Sequence, residues 1–214
     1  MSEQIIAKEK TAFYSFARGF LAFAFHTFAP VRYHDAQKLN RTGAFVVIAN
    51  HQSFADPALL AEPLKDRQMV FIGKKELAKN KFIEKILTSL HCILIDRHNR
   101  DMEAMRTASK ILKQGRILGI FPEGTRHHEG QMENIETGAA LLTMRNRAPL
   151  VPVYINRKFR FFRFTDVYVG DEIKYDDLLE NGVNAQTCEQ LNERIRETYR
   201  EMIAAAKKKY KKFL

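Results

Sequence analysis

His51 and Asp56 stand five residues apart in the stretch Asn50-His51-Gln52-Ser53-Phe54-Ala55-Asp56. An imidazole held by a carboxylate has a fixed tautomer and a stabilised protonated form, which is the chemistry of a general base. Residues five apart on a regular helix lie about 140° apart around its axis. The two side chains therefore meet only if the backbone between them bends. Asp56 has a second reading, because Asp before Pro is a good helix N-cap. Ser53 is too close to His51 along the chain to converge on it easily, and its hydroxyl is expected to shape the turn.

A second stretch, Phe121-Pro122-Glu123-Gly124-Thr125-Arg126, carries a different chemistry. Gly124 lets the backbone take a positive φ and approach a ligand closely. Arg126 has the planar fork that holds a phosphate through two parallel bonds; a solvated Arg beside a tight turn is the plainer reading. His127, His128 and Glu129 follow directly, but adjacent histidines on a loop lack ligand spacing, so no metal is expected.

Both stretches follow apolar, strand-like runs. Strands are expected at 44–49, 68–73, 92–95, 117–121, 150–155 and 167–169. Pro152 points to an edge or a bulge in the fifth. Helices are expected at 57–61 with Pro57 at the first position, near 79–90, and at 101–114, 138–144 and 186–205. In the helix at 101–114, Met102, Met105, Ala108, Ser109 and Leu112 fall near one face. The alternation predicts an α/β fold: a single domain with a mixed, largely parallel sheet flanked by helices. His51 and Asp56 then bracket a strand-to-helix turn, where such sheets place their ligands.

Residues 11–28 form an apolar, aromatic run that Pro30 stops. Phe13, Phe16, Ala17, Phe20, Leu21, Ala24 and Phe28 follow helical spacing, Phe23 and Phe25 lie elsewhere, and Arg18 and His26 interrupt the run. It is short for a membrane span. It carries features of a cleaved signal, and burial on the domain fits the same pattern. The preferred expectation is an uncleaved amphipathic aromatic helix lying in the membrane interface.

The net charge of +10 predicts an anionic partner. Four basic residues and four Phe interleave from Arg157 to Phe164. This composition suits an anionic membrane surface, single-stranded nucleic acid, or a strand alternating between core and solvent. A basic tail closes the chain. Two cysteines, Cys92 and Cys188, make no disulfide framework and fit a reducing compartment.

Taken in order, the His51/Asp56 block, Ile95-Asp96-Arg97, the 121–126 block and Val151-Pro152-Val153 resemble the glycerolipid acyltransferase family, in its bacterial 1-acylglycerol-3-phosphate acyltransferase branch (the PlsC type). Lys74-Lys75-Glu76-Leu77 matches a further family segment. The six-residue block at 121–126 is the specific one; a His-x4-Asp pair alone is not.

The resemblance implies transfer of an acyl chain from a thioester to the 2-hydroxyl of lysophosphatidate, giving phosphatidate. His51 is implied as general base and Asp56 as its orienting carboxylate. Arg97 and Arg126 are implied to hold the acceptor phosphate, with Glu123, Gly124 and Thr125 in the acceptor loop and Lys74 near the oxyanion. It implies no cofactor and no metal. The donor would be an acyl carrier protein or coenzyme A thioester, and the further partner an anionic membrane surface rather than nucleic acid. The expected place is the cytoplasmic face of the cell membrane, with the protein peripheral or monotopic. The implied division is 1–30 as a membrane-associating helical segment, 31–206 as the acyltransferase domain and 207–214 as a basic tail. The chain departs from the family pattern where Glu136 replaces a usual Lys, and where Lys81 and Glu84 replace a usual proline and glycine. His91 and Cys92 also stand where small residues are common. These departures leave glycerol 3-phosphate or another lysophospholipid open as acceptor.

Overall fold

Strand β2 (Phe45–Ala49) is buried along its whole length. Its alternating side chains build two cores. Val46 and Ile48 face one, with helix residues such as Ala108, Ile111, Leu142, Leu191 and Ile195. Phe45, Val47 and Ala49 face the other, with Leu39, Leu59 and Leu60. A strand covered on both faces reads as a continuous apolar run, as this one does.

The computed structural model describes residues 12–74, 80, 81, 84, 87, 92–95, 102–126 and 132–211. Around β2 lie β1 (Val31–His34), β3 (Met69–Lys74), β4 (Ile93–Ile95), β5 (Ile117–Ile120), β6 (Leu150–Ile155) and β7 (Thr165–Val169). The sheet order is β1-β7-β6-β2-β5-β3-β4. Every neighbouring pair is parallel except β6 with β7. The described helices are α1 (Ala12–Phe28), α2 (Asp56–Ala61), α3 (Met102–Lys113), α4 (Thr137–Arg145), α5 (Asp176–Leu179) and α6 (Ala185–Lys211). The mixed, mostly parallel sheet with flanking helices is the α/β fold expected from the sequence.

Several elements differ in detail. Pro152 sits in β6, an interior strand between β2 and β7 rather than an edge. It lies beside a one-residue register shift of the bulge kind, since Val153 pairs with Val169 while Leu150 pairs with Ile173. Its missing N–H is tolerated because β7 ends at Val169 and only the carbonyl of Pro152 is used there, accepting from Gly170 N at 2.9 Å. The buried face of α3 is Ala104, Thr107, Ala108, Ile111 and Leu112, while Met102 points to solvent. The segment 157–164 is a loop rather than an alternating strand: Phe161, Phe162, Phe164, Lys158, Arg160 and Arg163 are all exposed, and Phe159 packs on the core. Helix α6 runs through Lys211, so Lys207, Lys208, Lys209 and Lys211 are helical.

Helix α1 is polarised outward. Tyr14 is buried and Arg18 turns inward, its Nη1 donating to the Glu62 carbonyl at 3.2 Å. Phe16, Phe20 and Phe23 are exposed. A period of 3.6 residues puts these three on one stripe, so Phe23 belongs with the exposed aromatics. The loop 157–164 joins this end of the helix: Phe162 N donates to the Phe28 carbonyl at 2.8 Å. No helix among the described residues is long and apolar enough to cross a membrane.

Candidate active site

Strands β2, β5, β3, β4 and β6 run in one direction, so the loops after them gather at one edge of the sheet. Register sets the details. Ile48 pairs with Ile120, so His51 and Glu123, each three residues further on, arrive side by side. The backbone N–H of His51 donates to Glu123 Oε2 at 3.0 Å.

The chain turns sharply after β2. Asp56 is fully buried and organises the turn: its Oδ2 accepts from Gln52 N at 2.6 Å and Ser53 N at 2.7 Å, and its Oδ1 accepts from Ser53 Oγ at 2.8 Å. Ser53 Oγ in turn accepts from Ala55 N at 3.1 Å, so this hydroxyl forms the turn as expected. Helix α2 begins at Asp56 itself, with Ala55 as N-cap and Pro57 second. The carboxylate points back into the turn instead of capping the helix.

The bend brings His51 Nδ1 to 2.8 Å from Asp56 Oδ2. The imidazole keeps 20% exposure while the carboxylate has none. A carboxylate on Nδ1 fixes the proton there and leaves Nε2 as the basic nitrogen. The ring lies against Phe121, with centroids 4.3 Å apart and planes at 24°. Phe121 is backed by Phe71 at 6.1 Å. Phe71 has room only because Gly119 carries no side chain; a Cβ there would lie 2.5 Å from its ring.

Polar contacts from distant residues hold the turn from below. Asn50, fully buried, pairs with Ile155 through its side chain, donating to the carbonyl at 3.0 Å and accepting from the N–H at 2.8 Å. Gln52 Nε2 donates to the same carbonyl at 3.0 Å. The end of β6 thus fastens both neighbours of His51. Tyr199, fully buried on α6, shares its hydroxyl between the carbonyls of Ile48 at 2.7 Å and Val153 at 2.9 Å. Burial raises that phenol well above its usual pKa, so it stays a neutral donor. None of Asn50, Gln52, Phe121 and Tyr199 was among the sequence-predicted site residues. A polar residue directly after an apolar strand was the one available signal, at Asn50.

The other predicted residues fall as follows. Gly124 takes φ 67°, the left-handed region that glycine enters at least cost. Thr125 and Arg126 are exposed at the rim, and the Arg126 guanidinium carbon lies 3.8 Å from the centroid of the Phe54 ring. Glu136 N donates to the Pro122 carbonyl at 2.9 Å, so the residue that departs from the family pattern abuts this loop. Lys74 closes β3 opposite Ile95, the last residue of β4. The Lys74 side chain, Arg97 and the 127–129 group lie outside the described residues. Among the described residues no group of His, Cys, Asp or Glu could hold a metal ion.

A model of the Acyltransferase family matches residues 30–156. The 1-acyl-sn-glycerol-3-phosphate acyltransferase of Bacillus subtilis (strain 168) is 34% identical over 122 residues, 57% of this chain and 60% of that protein. Its counterpart in Streptococcus pneumoniae (strain ATCC BAA-255 / R6) is 28% identical over 144 residues, 66% of this chain and 53% of that protein. The matched segment thus spans between half and two-thirds of the length of these curated relatives. The crystal structure of the 1-acyl-sn-glycerophosphate (LPA) acyltransferase, PlsC, from Thermotoga maritima superposes with a TM-score of 0.65 at 22% identity. It covers 89% of this chain and 80% of that one, and shows the shared fold.

Proposed function

This chain belongs to the acyltransferase family, and we propose that it transfers an acyl chain from an acyl thioester to the 2-hydroxyl of lysophosphatidate, giving phosphatidate. The observation that carries the proposal is the His51–Asp56 pair at 2.8 Å, set at the sheet edge beside the Glu123 to Arg126 loop. The Bacillus and Streptococcus relatives, both named 1-acyl-sn-glycerol-3-phosphate acyltransferases, support lysophosphatidate as the acceptor.

In this reading Nε2 of His51 takes the proton of the acceptor hydroxyl as its oxygen attacks the thioester carbonyl carbon. Asp56 stabilises the imidazolium that forms. The C–S bond then breaks, and the departing thiolate takes the proton back. The acceptor is itself the nucleophile, so no acyl-enzyme is required. Arg126 and Arg97 hold the phosphate, Gly124 and Thr125 shape the loop around it, and Lys74 stabilises the oxyanion. The donor is an acyl carrier protein or coenzyme A thioester; both are acidic and suit the net charge of +10.

The lipid acceptor requires access to a bilayer. The exposed stripe Phe16, Phe20 and Phe23, joined to Phe161 and Phe162 through the Phe162 to Phe28 bond, supports docking on an anionic membrane surface. Lys158, Arg160 and Arg163 beside the rings supply the cations. The enzyme is then peripheral or monotopic on the cytoplasmic face.

Acyl transfer in detergent micelles tests the reading, with lysophosphatidate, glycerol 3-phosphate and lysophosphatidylglycerol offered in parallel. Turnover confined to lysophosphatidate is the expected result. Turnover confined to another acceptor would overturn the acceptor assignment and direct attention to Glu136 beside the loop.

A further inference from the structure

Phe54 lies inside the His51–Asp56 turn, yet the residue is 73% exposed. Its backbone is fixed on both sides by the Ser53 and Ala55 bonds that Asp56 organises. Among the described residues, Arg126 lies over one face of the Phe54 ring, at 3.8 Å from guanidinium carbon to ring centroid. That separation is a van der Waals contact of two flat groups. A guanidinium pointing its N–H groups at the ring would hold its carbon further away.

We propose that Phe54 is a positioning residue that orients Arg126 for a phosphate monoester. The inference rests on the reading of Arg126 as a phosphate-holding residue. The stack uses the face of the guanidinium, whereas a phosphate uses the N–H groups at its edge, so the two contacts do not compete. A free Arg loses rotamer freedom when it binds; a stacked one has lost much of it beforehand. The ring also sits three residues from His51, so the shelf ties the phosphate to the turn that carries the base. Phe54 therefore favours acceptors with an anionic phosphate headgroup over neutral monoacylglycerols.

The shelf is tested with Phe54→Ala, Phe54→Leu and Phe54→Trp. The Ala and Leu variants are expected to raise the KM for lysophosphatidate about 2- to 30-fold, the range from an exposed to a desolvated cation–π contact. The loss falls in acceptor KM rather than in donor KM or kcat, and Phe54→Trp restores the wild-type value. The chain has no Trp, so Phe54→Trp also supplies a lone indole for direct binding. Its emission is expected to respond to lysophosphatidate and not to monoacylglycerol, and to lose that response when Arg126→Ala is added. A Leu variant that matches Phe, an unchanged acceptor KM in Phe54→Ala, or an indole blind to lysophosphatidate would each overturn the proposal. If the wild type does not turn over lysophosphatidate, the proposed function fails; the indole titration still decides whether the shelf stands.

Discussion

The backbone N–H of His51 donates to Oε2 of Glu123 at 3.0 Å, joining two loops that lie 72 residues apart in sequence. Glu123 is buried, so its carboxylate fastens the His51 turn to the loop that carries Arg126. Glu123→Ala leaves that amide without this acceptor, which costs about 1–3 kcal/mol. For a chain of this size the melting temperature falls by about 2–12 °C. Glu123→Gln, which keeps an acceptor oxygen, should lose less. Thermal melts of both variants check this; a normal melt for the Ala variant would remove Glu123 from the scaffold.

Asp56 is asked for more than one carboxamide can supply. It accepts from two backbone N–H groups and a hydroxyl while also holding His51 Nδ1. Asp56→Asn has one acceptor oxygen and no charge to stabilise an imidazolium. We expect kcat to fall about 10²- to 10⁴-fold, together with a lower melting temperature. The check is kcat measured beside a melt; a variant with full turnover would mean that the histidine does not depend on its carboxylate.

The outward stripe of α1 makes a prediction about binding without one about folding. Phe16, Phe20 and Phe23 are exposed, so changing all three to Ser should leave the melting temperature nearly unchanged. Each ring moved from water into the interface contributes up to about 1.5–3 kcal/mol. Binding to vesicles containing anionic phospholipid should therefore fall by about 100-fold or more. Sedimentation at the wild-type level would assign the docking to other surfaces.

Stability on the acid side should report Asp166. Burial pushes this carboxyl up, but the bonds from Arg32 and His34 outweigh it and hold the pKa below the usual 3.8. Arg32 donates to it through two nitrogens, at 2.8 and 2.9 Å. Between the folded and unfolded values the unfolded chain binds more protons, so stability rises with pH there. The contribution is complete above the unfolded value and is lost as pH falls through the folded one. Melting temperatures taken downward from pH 5 should drop more steeply for wild type than for Arg32→Ala; equal slopes would contradict this.

What was legible in the sequence follows burial. Strands β2 and β5 are covered on both faces, so their apolar runs stand out. Strand β1 does not: Val31-Arg32-Tyr33-His34 sits at the sheet edge with no apolar period, and its place is set by pairing with β7, more than 130 residues away. The face of α3 differs from the expected one because Met102, apolar by type, opens the helix in solvent. The His51–Asp56 pair was legible because both residues are local to one turn. Its supports were not, because Asn50 and Tyr199 bond to backbone groups 105 and 151 residues away, and a carbonyl carries no sequence signature.

The most direct test of the account is acyl transfer to lysophosphatidate by His51→Ala beside the wild type, with thermal melts of both. The imidazole is 20% exposed and its contacts are confined to the site, with Asp56 and the Phe121 ring, so the variant should fold. The account predicts that turnover falls by at least about 10²- to 10⁴-fold, the range for loss of a general base, with the melting temperature held near that of the wild type. Near-normal turnover by the folded variant would contradict the assignment of His51 as the base.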